Sequence, residues 1–99
     1  MKGTPKQIAW ATKIRQEWIT KIELGEAKFI EKVQKNPDEE ARKDIIAAYN
    51  RFKHWEFKSA EDWINDRNAI PGAVLLAAKK AKDDKAYTIG TILCELKII

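Results

Sequence analysis

Few side chains in this sequence have the types and spacing for bond-making chemistry. There is one His, His54, among Lys53, Trp55 and Glu56, and one Cys, Cys94, in an apolar stretch. A hydrolase or transferase needs a nucleophile with a base, paired carboxylates or a metal cluster. Ser59 reads as a helix cap before Ala60-Glu61-Asp62. Glu39 and Glu40 fall where the positive end of a helix favours acids without any cation. A lone His and a lone Cys also exclude a Cys/His zinc cluster, an intrachain disulfide and a redox Cys pair. The expectation is a protein that binds and is not an enzyme, with no cofactor and no metal.

Binding chemistry is better represented. The net charge is +4, and its distribution is uneven. Residues 1–35 carry 8 basic and 4 acidic side chains, residues 36–58 carry 5 of each, and residues 59–99 carry 6 of each. The excess therefore lies wholly in the first segment. On a helical wheel Lys6, Lys13, Lys21, Lys28, Lys32 and Lys35 share one face, opposite an apolar stripe. Trp10 lies among them, Ile14 sits at the edge, and Glu17 and Glu31 interrupt the row. Such a face offers cations to a phosphate backbone, and Trp10 offers a ring to stack on a base or enter a partner. The expected partner is nucleic acid or a nucleic-acid-binding host protein. A solvated helix face, with Trp10 under a loop or the tail, is the plainer alternative.

Two arginines stand out because they fall on apolar faces. Arg15 is flanked by Ile8, Trp18, Ile19 and Ile22, and Arg67 completes the spacing of Ala60, Trp63 and Ile64. A guanidinium cannot shed its charge, so a buried one must be paired. Asp62 and Asp66 are the nearest acids in sequence to Arg67, with Glu56 further off. One reading is an ion-pair network in which Arg15 takes a carboxylate of the third helix beside Trp63. The other is an anion pocket in which Arg15 and Arg67 meet on a phosphate or carboxylate ligand.

The elements that must carry these side chains are helices. Thr4 caps the first, Pro5 takes its first position, and Gln7 completes a capping box. Ile8, Ala11, Trp18, Ile19, Ile22, Phe29, Ile30 and Val33 recur at helical spacing. The phase survives Gly25, which predicts one long helix from Pro5 to Lys35, bent at Gly25. Asn36 caps a second helix that starts at Pro37 and runs to about Trp55. Ser59 opens a short third helix through Arg67, and Ile70-Pro71-Gly72 is a turn. Ala73 to Lys82 is a fourth helix. In the tail, Ala86 to Ile99, the helical spacing of Ile89, Ile92, Leu93 and Leu96 favours helix, while its Thr and Ile content also suits a strand. The chain is long enough for one core. The prediction is a single small all-α domain, residues 1–99. The first two helices make a long hairpin, and two or three shorter ones pack on it.

The first helix also carries a resemblance. Gly3-Thr4 followed by Lys6-Gln7-Ile8-Ala9-Trp10-Ala11-Thr12-Lys13-Ile14-Arg15 resembles a Gly-Ser/Thr-x-Lys-Gln-x-x-Trp-Ala-x-x-Ile-Arg pattern. That pattern belongs to small helical proteins of bacteria, phages and mobile elements with no settled activity. A later Trp-Ile-Asp-x-Arg segment is common in them. Here it reads Trp63-Ile64-Asn65-Asp66-Arg67, with the acid one place later. The resemblance implies an accessory protein of phage or mobile-element type. An inhibitor of a host defence nuclease, in the manner of anti-CRISPR proteins, is one concrete form. A self-associating interaction module, dimeric through the apolar tail, is the alternative, and an anion sensor using Arg15 and Arg67 is a third. No run of residues is apolar enough to cross a bilayer, and no signal peptide or lipidation signal is visible. The expected setting is the host cytoplasm, away from membranes.

Overall fold

The computed structural model describes all 99 residues, Met1–Ile99. Six helices follow one another: α1 Pro5–Leu24, α2 Glu26–Gln34, α3 Glu39–Lys53, α4 Ala60–Asn65, α5 Ile70–Lys80 and α6 Asp84–Glu95. The all-α class is as expected, and the tail is helix. The capping box forms as its residues dictate. The Gln7 N–H donates to Thr4 Oγ1 at 3.2 Å, and the Thr4 N–H donates to Gln7 Oε1 at 3.0 Å.

The single helix expected through Lys35 is in fact two, divided at Gly25. There the backbone leaves helical geometry, with φ −100° and ψ 4°, and the Gly25 N–H turns to Ile22 O at 3.1 Å. The reason lies at the far end of the chain. Ile98 packs on Gly25 so closely that a Cβ there would lie 2.6 Å from its side chain. The phase argument still holds, because Phe29 and Val33 are buried as Trp18 and Ile22 are. Helices of 20 and 9 residues laid end to end come to about 44 Å. Only Gly25 separates α1 from α2, so the two make one jointed rod.

Other boundaries shift for local reasons. Asp38, not Asn36, caps α3, its carboxylate accepting from the Glu40 and Ala41 N–H groups. Asn36 instead accepts from the Asp38 N–H, bracing the turn. His54 rather than Trp55 closes α3, and α4 ends at Asn65, short of Arg67. The expected turn at Ile70-Pro71-Gly72 is the first turn of α5, where a missing proline N–H costs nothing. Asp83 caps α6 through the Ala86 N–H.

The hairpin is present in outline. Tyr49, late in α3, stacks on Phe29 of α2 with ring centroids 4.7 Å apart, so the two helices run antiparallel. The most extensive packing is α1 against α4, α3 against α6, and α6 against α5. Trp18, Ile22, Phe29, Tyr49, Phe52, Trp63, Val74 and Leu93 make the centre of the one core. Ile14, expected at the edge, joins it at 9% exposure. The N-terminus is tied down as well: the Lys2 N–H reaches Lys58 O at 3.1 Å, and the Ala60 N–H reaches Lys2 O at 2.7 Å. Gly3 makes that approach possible, with a φ of +152° and a Cβ position 3.0 Å from the Ala60 Cβ.

The Ile98 contact gives a test. Gly25→Ala should destabilise the fold by roughly 1–3 kcal/mol through overpacking. Combined with Ile98→Ala, the same change should be neutral or stabilising, because the clash is gone and Ala is the better helix former. Denaturant unfolding of the two single variants and the double variant measures this.

Candidate functional site

The jointed rod presents the lysine row. Lys6, Lys13 and Lys21 stand on α1 and Lys28 and Lys32 on α2, with Lys35 at its C-cap; all six are exposed. The ion pairs of the chain lie elsewhere: Arg15–Glu56, Lys43–Glu39, Lys43–Glu40, Arg51–Asp83, Lys53–Glu26 and Lys85–Asp44. None of the six lysines enters one. Lys28 has a second engagement, its ammonium donating to Leu96 O at 3.1 Å, which closes the end of α6.

Trp10 stands in the row at 48% exposure. The turn after α4 partly covers it, as the plainer alternative expects. The Arg67 guanidinium lies over its ring, 5.2 Å from the centroid, within cation–π range. Arg67 is held there by its own turn, Nη1 donating to Ile64 O at 2.6 Å. Arg67 also shares a groove of about 230 Å³ with Ile14, Glu17, Trp18, Lys21, Asn68, Ile70 and Pro71. A second helix-end residue thus joins the basic face. The sequence placed Arg67 on an apolar face because its spacing continues α4, but α4 has ended by then.

The two arginines do not converge. Arg15 is half-buried and spans to the end of α3. Its Nε donates to Trp55 O at 3.0 Å and its Nη2 to His54 O at 2.8 Å, with Glu56 Oε1 at 3.6 Å. The expected carboxylate from the third helix is therefore replaced by main-chain carbonyls and Glu56. A helix C-terminus leaves such carbonyls unpaired and partly negative, so a cation there needs no acid from α4. Asp62 and Asp66 line a separate groove beside Phe57 and Leu76, and Asp62 accepts from Ser59 Oγ at 3.4 Å. They pair with neither arginine. Ser59 holds the N-cap position, yet its side chain caps no backbone N–H. His54 is exposed, Cys94 is half-buried, and Glu39 and Glu40 are taken by Lys43 at 3.7 and 3.8 Å.

Two polar clusters had no sequence signal, because each joins residues over twenty positions apart. Glu26 Oε1 accepts from Tyr49 OH at 2.7 Å and from Lys53 Nζ at 3.2 Å. The Lys53 ammonium also sits 5.1 Å from the Tyr49 ring centroid. The Tyr49 hydroxyl, then Lys53, holds the Glu26 carboxyl below its ordinary range. Burial first, and then Glu26, pushes the Tyr49 hydroxyl above its own. Arg51 grips Asp83 through two bonds, at 2.9 and 3.1 Å, and lowers the Asp83 carboxyl in the same way. These clusters lock α2 to α3 and α3 to the start of α6. They explain fold rather than chemistry.

Comparison with protein-family models, with curated proteins and with solved structures finds no match to this chain. No helix is long and apolar enough to cross a membrane.

Arg15→Ala should cost about 1–2 kcal/mol, since it removes two hydrogen bonds at the end of α3, the one to Trp55 O partly buried and the one to His54 O exposed. Arg15→Lys should recover only part, lacking the fork. Thermal unfolding reads both. Stability should also depend on pH in a defined sense. The folded carboxyls of Glu26 and Asp83 are lowered, so their contribution is present above the unfolded values near 4.5 and 3.8 and is lost as pH falls through the folded ones. Tyr49 is raised, so its contribution is lost as pH climbs past about 10. Glu26→Gln should flatten the acid limb in unfolding measured from pH 3 to 7.

Proposed function

We propose that this chain is a stoichiometric, non-enzymatic binding protein whose α1 face engages a nucleic-acid phosphate backbone, alone or together with a nucleic-acid-handling host protein. One observation carries the reading. Six lysines stand exposed on one jointed rod and none enters an ion pair. Of the acids near them in sequence, Glu26 holds Tyr49 and Lys53, and Glu17 and Glu31 stand in the row but leave it net positive. Net positive charge in a row is what counterion release on a polyanion requires.

The motif resemblance of α1 supports the wider setting, an accessory protein of phage or mobile-element type acting in a host cell. Inhibition of a host defence nuclease, in the manner of anti-CRISPR proteins, rests on that resemblance alone. The other two readings have less support. The tail that would serve self-association buries Ala86, Ile89 and Leu93 within the chain's own core. The anion sensor needs Arg15 and Arg67 together, and Arg15 is committed to the end of α3.

The test is fluorescence anisotropy of labelled DNA and RNA, titrated at low and at physiological salt. Binding should weaken steeply with salt. Lys13→Glu with Lys21→Glu should abolish it while circular dichroism stays unchanged, since both residues are exposed. Absence of binding at low salt would refute direct contact with nucleic acid.

A further inference from the structure

From the geometry at Trp10 we infer that the basic face carries a stacking site for an unpaired base, made by the Trp10 ring and the Arg67 guanidinium, so that the ligand is a single strand. The inference rests on the nucleic-acid reading above and makes it narrower.

A duplex keeps its bases stacked on one another, so an exposed indole gains little from it beyond charge contacts with its neighbours. An unpaired base brings a free π-face to any ring that awaits it. Trp10 offers what Arg67 leaves uncovered of its ring. The aromatic pairs of the chain are Trp18–Phe52, Phe29–Tyr49 and Phe57–Trp63, and Trp10 belongs to none. It is 48% exposed on a helix otherwise dressed with lysines.

Arg67 supplies the second half. It comes from beyond α4, over fifty residues away in sequence, and is held 5.2 Å from the ring centroid. Its one hydrogen bond, from Nη1 to Ile64 O, tethers the guanidinium and leaves most of its five donors unspent. A guanidinium so placed stacks as well as pairs, and its remaining N–H groups suit a phosphate oxygen or a base edge. Lys6 and Lys13 flank Trp10 at one turn on each side of α1. The arrangement therefore alternates cation, ring and cation along the rod, at roughly 5 Å per turn.

The experiment uses the full chain and four fluorescent probes of equal length: single-stranded DNA, single-stranded RNA, duplex DNA, and a single strand of abasic sites. Wild type, Trp10→Ala, Trp10→Phe, Arg67→Lys and the Lys13→Glu/Lys21→Glu variant are titrated against each. Trp10→Ala should weaken binding of both base-bearing single strands by roughly five- to a hundredfold and leave the duplex and the abasic strand within about twofold. Trp10→Phe should retain most of the affinity. Arg67→Lys keeps the charge but not the plane, and should lose single-strand affinity with an unchanged salt slope. The DNA and RNA arms decide which sugar is preferred. Equal loss on every probe, or no loss for Trp10→Ala, overturns the stacking site while the lysine reading stands. No binding of any probe by wild type overturns both.

Discussion

Ile98 lies where a side chain of residue 25 would be, and the rest of the molecule is arranged around that exclusion. A chain of this size has one core, and its longest element must be the wall of that core. The wall is jointed because α6 and its trailing residues close over the joint. Lys28 reaches across the same place to Leu96 O. The last residues thus set both the angle of the rod and the position of one of its cations. At the other end Lys2 is tied to the loop before α4, and Arg15 is tied to the loop after α3. Both clasps reach the connection between α3 and α4, one from the residues before α1 and one from α1 itself.

Polar and apolar forces divide the molecule between them. The side built from α2, α3 and α6 is held by Glu26–Tyr49–Lys53, Arg51–Asp83 and Lys85–Asp44. Acids and bases there neutralise each other. The lysines on the outer face of α1 make no such pairs, although Glu17 stands among them. The pairs of the other side draw their cations, Arg51, Lys53 and Lys85, from the second half of the sequence.

Much of this was legible in the residues. Capping signals located the start of α1 because Thr4, Pro5 and Gln7 act on their near neighbours alone. The apolar stripe located the buried face for the same reason, since periodicity is local. The joint at Gly25 was half legible: the glycine was visible, but Ile98 was not, being seventy-three positions away. Arg15 was correctly marked as needing a partner. Its partner was misjudged because sequence spacing ranks carboxylates and does not reveal which helix end will arrive beside it. Arg67 was assigned to a helix that stops two residues earlier, and its place above Trp10 follows from that stop. The resembling stretch of α1 now divides in two. Gly3, Thr4, Gln7, Ala11, Ile14 and Arg15 serve the architecture, whereas Lys6 and Trp10 face outward.

The contact of α1 with α4 differs in kind from the other joints. Trp18 and Trp63 are both buried, and neither indole N–H has an acceptor in the chain. Each unpaired donor costs about 1–3 kcal/mol, offset by the burial of a large ring. What holds α4 to α1 is therefore mainly the removal of apolar surface from water, a force that fades on cooling. Arg67 follows α4 directly, so its place above Trp10 depends on that contact.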